Sequence, residues 1–72
     1  MGESVRIKLA RRIKQRRCQI GITQEELAAK TGLDYKYVQR IEGKNPPAIR
    51  VDTIERLAIA LRTTPAELLR FK

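Results

Sequence analysis

Histidine is absent from the sequence, which removes the commonest general base and the commonest metal ligand. The single cysteine, Cys18, excludes an internal disulfide and a zinc cluster, and nothing in the composition requires an oxidising compartment. Long uncharged runs are lacking too. The longest is the seven residues from Cys18 to Gln24, against about 20 for a membrane span and about 7–15 for a signal-peptide core. The chain is therefore expected in the cytoplasm, with no membrane partner. It carries no nucleophile–base pair and no ligand cluster, so no enzyme activity, metal or cofactor is expected. Its 72 residues are too few for α/β barrels or doubly wound sheets, and one domain over 1–72 is expected. Strand signals are nearly absent.

What is present is positive charge. Sixteen Lys and Arg stand against eight Asp and Glu, a net +8 with a pI near 10.4. So strong a bias in 8.3 kDa points to a polyanionic partner. At 42% hydrophobic the chain is not a disordered basic tail. The charge is uneven. Residues 1–22 carry seven cations and one acid, residues 23–42 three cations and four acids, and residues 43–72 six cations and three acids.

Helix signals recur. Thr23-Gln-Glu-Glu26 is a capping box, in which the threonine hydroxyl takes an orphan amide and Glu26 reaches back. Thr64-Pro65-Ala66-Glu67 repeats it with proline at the first helical position. Asp52-Thr-Ile-Glu55 has the same spacing with Asp as cap, and Asp34 is a further N-cap. Gly21, Gly32 and Gly43 each follow an apolar-periodic segment, where a left-handed residue ends a helix cheaply. Asn45-Pro46-Pro47 reads as an extended loop. The pattern predicts five helices, over about 4–19, 23–30, 34–42, 52–61 and 65–70. By helical spacing Val5, Leu9 and Ile13 line the first, Leu27 and Ala28 the second, and Val38 and Ile41 the third. Ile54, Leu57, Ala58 and Leu61 line the fourth, and Leu68 and Leu69 serve the fifth. Together they predict an all-α fold, a compact five-helix bundle.

The second and third helices are separated by Thr31-Gly32-Leu33. Three residues with a central glycine match the turn of a helix-turn-helix, here over about 23–42. Ala28 is small where the two helices must approach. With Val38 and Ile41 turned inward, Lys36, Gln39 and Arg40 lie outside, with Tyr35 and Tyr37 at the flanks. Long cationic and hydrogen-bonding side chains on one helix face suit the major groove of double-stranded DNA.

These residues resemble a known family. Ile20-Gly-Ile-Thr-Gln-Glu-Glu-Leu-Ala-Ala-Lys-Thr-Gly-Leu-Asp, then Val38-Gln-Arg-Ile-Glu-Gly-Lys-Asn-Pro, then Asp52-Thr-Ile and Leu57-Ala-Ile-Ala-Leu61 are similar to the phage repressor and Cro (Xre-type) helix-turn-helix family. The resemblance runs over roughly residues 9–69 and implies a lambda repressor-like DNA-binding domain. The Leu-Asp-x-x-Tyr start of the third helix also looks like small controller proteins of restriction–modification systems. The resemblance implies that Gln24 touches a phosphate and a base edge at the start of the second helix. Tyr35, Lys36 and Tyr37 match the base-reading start of the third helix, with Arg40 one turn on. Thr23, Lys44 and Asn45 fall where the family grips the DNA backbone. Arg17 matches a position that pairs with Glu42. The chain departs from the pattern in placing Gly43 directly after Glu42. Arg62 stands where glycine usually ends the fourth helix, and Arg16 where leucine is frequent, which is expected to thin the packing of the first helix.

Other residues have simpler expectations. The basic run of the first helix is expected to be a solvated face that supplies long-range attraction and a few phosphate contacts. Cys18 is expected to be a small half-buried apolar residue. Ile59 falls opposite the inward stripe of its helix and should point outward; with Phe71 it would mark a dimer surface. The function implied is sequence-specific DNA binding by a transcriptional regulator, a homodimer at least on DNA, at a palindromic operator. The alternative is an antitoxin or anti-repressor module whose scaffold mainly binds a protein partner.

Overall fold

The computed structural model describes residues 3–71. It contains five α-helices: α1 Val5–Ile20, α2 Gln24–Thr31, α3 Tyr35–Ile41, α4 Val51–Ala60 and α5 Pro65–Leu68. No strand occurs among the described residues, and no described helix is long and apolar enough to cross a membrane. The all-helical expectation and all five N-terminal boundaries thus hold to within a residue.

Local chemistry explains most of these boundaries. Ser4 caps α1 by accepting from the Ile7 amide at 3.4 Å. At α2 both halves of the capping box form: the Glu26 amide donates to Thr23 Oγ1 at 3.0 Å, and the Thr23 amide donates to Glu26 Oε1 at 2.8 Å. Asp34 caps α3 through the Lys36 amide at 2.8 Å. Thr64 caps α5 through the Glu67 amide, with Pro65 at the first position. α4 departs from expectation. Arg50 is its N-cap, without a side-chain cap, and Asp52 lies in the first turn, where it pairs with Arg50 at 3.3 Å. The helix therefore begins about one residue before the expected span, at the exposed Val51.

Gly21 and Gly32 end α1 and α2 in the left-handed conformation, at φ of 76° and 75°. Gly43 does not share it. α3 ends on Glu42 with φ −89°, and a Cβ on Gly43 would lie 3.2 Å from the Gln39 carbonyl oxygen. Glycine is there for close approach rather than for handedness. Arg62 is the one described non-glycine residue at positive φ, 58°, as its place after α4 predicted.

One core holds the helices together. Ile13, Leu27, Val38, Ile41, Leu57, Leu61 and Leu68 are its fully buried side chains, with Leu9, Ala28, Ile54 and Ala58 beside them. α2 packs against both α3 and α4, and α5 closes against α4 and α1. Truncating one of these leucines to alanine costs about 2–5 kcal/mol, a large part of the stability of so small a domain. Val5 and Leu69, expected inside, are exposed. Each sits at a helix end where the chain is leaving the core. Thr31 is the one polar residue buried as a whole, backbone and side chain together, among the described residues. Its hydroxyl donates to the Leu27 carbonyl at 2.8 Å and accepts from the Leu33 amide at 3.3 Å, which ties the end of α2 to the turn.

The basic face of α1 is less solvated than expected. Arg12 donates to the Glu67 carbonyl, Arg16 to the carbonyls of Leu61 and Arg62, and Arg17 to Glu42. Arg16, half-buried, is instead tied to the turn that follows α4, where it gives the carbonyls of Leu61 and Arg62 a partner. Cys18, expected half-buried, is exposed.

Candidate nucleic-acid interface

α3 is short and two-faced. Val38 and Ile41 are fully buried, and Tyr37 is half-buried against the same core. On the other side Tyr35, Lys36, Gln39 and Arg40 are exposed. No acid occurs between Tyr35 and Ile41, so the outward face carries two cations and neutral hydrogen-bonding groups. Gln39 Nε2 donates to the Tyr35 hydroxyl oxygen at 3.2 Å, one turn back. That contact leaves the Tyr35 O–H and the Gln39 amide oxygen for an outside partner. The sequence placed Gln39 on the outward face suited to the major groove but did not pair it with Tyr35; their i, i+4 spacing was the available signal.

The start of α2 is joined directly to the end of α3. The Glu42 side chain is only 1% exposed, and a carboxylate so buried needs partners. Arg17 supplies two: Nε donates to Glu42 Oε2 at 2.8 Å and Nη2 to Oε1 at 2.9 Å. This is the parallel, two-pronged geometry that a guanidinium allows. Arg17 Nη1 also donates to the Ile22 carbonyl at 2.8 Å. Hydrogen bonding to Glu42 holds the Arg17 guanidinium above its ordinary value, so it is charged throughout the accessible pH range. Gln24, half-buried, donates from Nε2 to Glu42 Oε1 at 3.1 Å. One carboxylate thereby gathers the end of α1, the start of α2 and the end of α3. Its charge is neutralised by Arg17 and repels no phosphate.

The remaining sequence-predicted residues frame this unit. Thr23 is exposed at the α2 cap, and its hydroxyl, already accepting from Glu26, keeps its proton to donate. Lys44 and Asn45 are exposed immediately after α3. Ile59 is 72% exposed on α4. Phe71 is half-buried against the core with Lys8 Nζ 5.8 Å from its ring centroid.

Comparison with known proteins agrees with this arrangement. The helix-turn-helix family model matches residues 13–68. The chain belongs to the helix-turn-helix family, in its Xre-type branch. Several solved structures resemble it. The restriction–modification controller protein C.AhdI from Aeromonas hydrophila is 35% identical, with a TM-score of 0.81 over 88% of this chain and 94% of that one. The hypothetical transcription factor NHTF from Neisseria is 38% identical, with a TM-score of 0.83 over 90% of this chain and 72% of that one. C.Esp1396I bound to a 19 base pair DNA duplex is 29% identical, with a TM-score of 0.82 over 92% and 87%. No curated protein matches the chain.

Proposed function

We infer that this helix-turn-helix protein is a sequence-specific DNA-binding regulator of transcription. The observation that carries the reading is the exposed, acid-free face of α3, presented by a fold shared with a relative solved on a DNA duplex. Regulation is by occupancy, with no bond made or broken, in the cytoplasm. A domain of net charge +8 is attracted to DNA at long range. Backbone contacts then set its register, and base contacts select the site.

Roles follow from position. Lys36 and Arg40 reach base edges from the outer face of α3, and the Tyr35–Gln39 pair offers a donor and an acceptor beside them. Tyr37, half-buried, reaches the duplex at its hydroxyl end. Gln24, held by Glu42, and Thr23 meet the backbone at the start of α2, and Lys44 and Asn45 meet it after α3. Two copies, joined through a surface that includes Ile59, bind half-sites about 34 Å apart on one face of a palindromic operator.

Selection of bound duplexes from a random-sequence pool, with affinity followed against salt, tests the reading. The expected result is an enriched palindrome with half-site centres one helical turn apart. Binding without enrichment, with a steep salt slope, would overturn the sequence-specific part. Absence of binding at low salt would overturn the whole.

A further inference from the structure

The cations of α1 fall into two groups. Arg11 pairs with Glu3 at 2.6 Å. Arg12, Arg16 and Arg17 are spent on Glu67, on the end of α4 and on Glu42. Lys8 sits over the ring of Phe71. Of the α1 cations, Arg6 and Lys14 make none of these contacts, neither hydrogen bond, ion pair nor ring contact, with any described residue.

Arg6 and Lys14 differ in surroundings. Arg6 lines a cleft of about 400 Å³ between the first turn of α1 and the loop that leaves α3, opposite Lys44 and Asn45. No acid lines this cleft. Two cations and a side-chain amide thus line one cleft with no described acid paired to them, an arrangement that favours an anion there. The loop side of the cleft starts at Lys44, three residues after the end of α3, and Arg40 lies four residues further back. The cleft therefore adjoins the segment by which the chain leaves α3. An anion held there while α3 lies in a groove belongs to the same duplex.

We propose that Arg6 and Lys44 clamp one backbone phosphate of the duplex that α3 reads, so that α1 adds a phosphate contact outside the helix-turn-helix. The proposal rests on the DNA-binding reading above. The fork of Arg6 suits a phosphate bidentately, while Lys44 adds a point charge. The contact carries no sequence information and sets register only.

The test compares the full-length wild type with Arg6→Gln, Lys44→Gln and Lys14→Gln, each titrated with salt on the selected duplex and on a scrambled one. Thermal unfolding without DNA accompanies each variant. Arg6→Gln is expected to reduce the slope of log affinity against log salt by about 0.9 for each bound copy, about 1.8 for a dimer, the release accompanying one phosphate per copy. It should weaken both duplexes by the same factor and leave the melting midpoint unchanged. Lys44→Gln should behave alike, and Lys14→Gln should leave the slope at its wild-type value. An unchanged slope in Arg6→Gln overturns the proposal. So does an equal loss in Lys14→Gln, which would mean diffuse attraction, or a loss confined to the selected duplex, which would mean base reading. Failure of the wild type to bind either duplex would instead overturn the DNA-binding reading itself.

Discussion

Arg16 donates to the carbonyl oxygen of Arg62 at 2.9 Å, and Arg62 is the residue that turns the chain left-handed at the end of α4. The same guanidinium donates to Leu61 at 2.9 Å. A cation from α1 thus satisfies the two carbonyls that follow α4 and lies at the negative end of its dipole. The two departures from the family pattern, Arg16 for leucine and Arg62 for glycine, meet at one point in space.

Replacing Arg62 with glycine should stabilise the domain. A left-handed arginine costs about 1–2 kcal/mol, partly offset by the greater freedom of glycine in the unfolded chain. A net gain of about 1 kcal/mol corresponds to a melting midpoint about 4–8 °C higher. Its side chain is exposed and the Arg16 contact is to its backbone, so that contact survives. A lower midpoint in calorimetry would show that the Arg62 side chain has a stabilising role.

Arg17→Ala should be far more damaging. It leaves the buried Glu42 carboxylate with Gln24 as its remaining side-chain partner. Breaking one side of a buried pair costs about 3–5 kcal/mol. Arg17→Lys should recover part of this, because an ammonium cannot span both carboxylate oxygens in parallel. Urea unfolding of the two variants measures the difference.

Arg40→Ala should cost about 1–3 kcal/mol of binding and relax specificity at one base pair. The fold should be unaffected, since Arg40 is exposed and its neighbours Val38 and Ile41 hold α3 down. A base-by-base binding matrix is the readout. An unchanged preference would remove Arg40 from the base-reading set.

Tyr35→Phe deletes a hydroxyl and frees the Gln39 amide with it. Both the lost group and the released neighbour should alter preference at adjacent base pairs, by about 1–3 kcal/mol if a bidentate contact is lost. Stability should shift by less than about 0.5 kcal/mol, because the pair is solvent-exposed. Comparison of binding matrices with Gln39→Ala separates the two contributions.

Ile59→Glu should leave the monomer folded and weaken self-association. The residue is 72% exposed on α4 and makes no part of the core. Sedimentation with and without operator duplex should show a shift toward monomer, accompanied by weaker operator binding. Undiminished dimerisation would place the interface elsewhere.

The sequence was legible wherever structure is local. Thr23, Asp34 and Thr64 announced their helices because capping chemistry acts within three residues. Val38 and Ile41 announced the buried face of α3 because helical spacing determines which side chains share a face. Arg17 and Glu42 were named as partners only through a family resemblance, since no local rule joins positions 25 residues apart. At α4 the local signal misled. Asp52 has the cap spacing, yet the helix starts one residue before it, with Asp52 held in the first turn by Arg50.

What the sequence determined by itself was the all-helical class, the turn at Gly32, the outward face of α3 and the excess of positive charge. Each follows from period, cap or count. Only the tertiary structure decided which cations remain available. Arg6, Arg11, Arg12, Arg16 and Arg17 are equivalent as letters on one helix. Packing gives Arg12 and Arg16 to the ends of other helices and Arg17 to a buried carboxylate. Arg6 is left in a cleft beside Lys44. The reason is geometric: a guanidinium is committed by whichever carbonyl or carboxylate the fold brings within about 3 Å, and those partners lie tens of residues away along the chain.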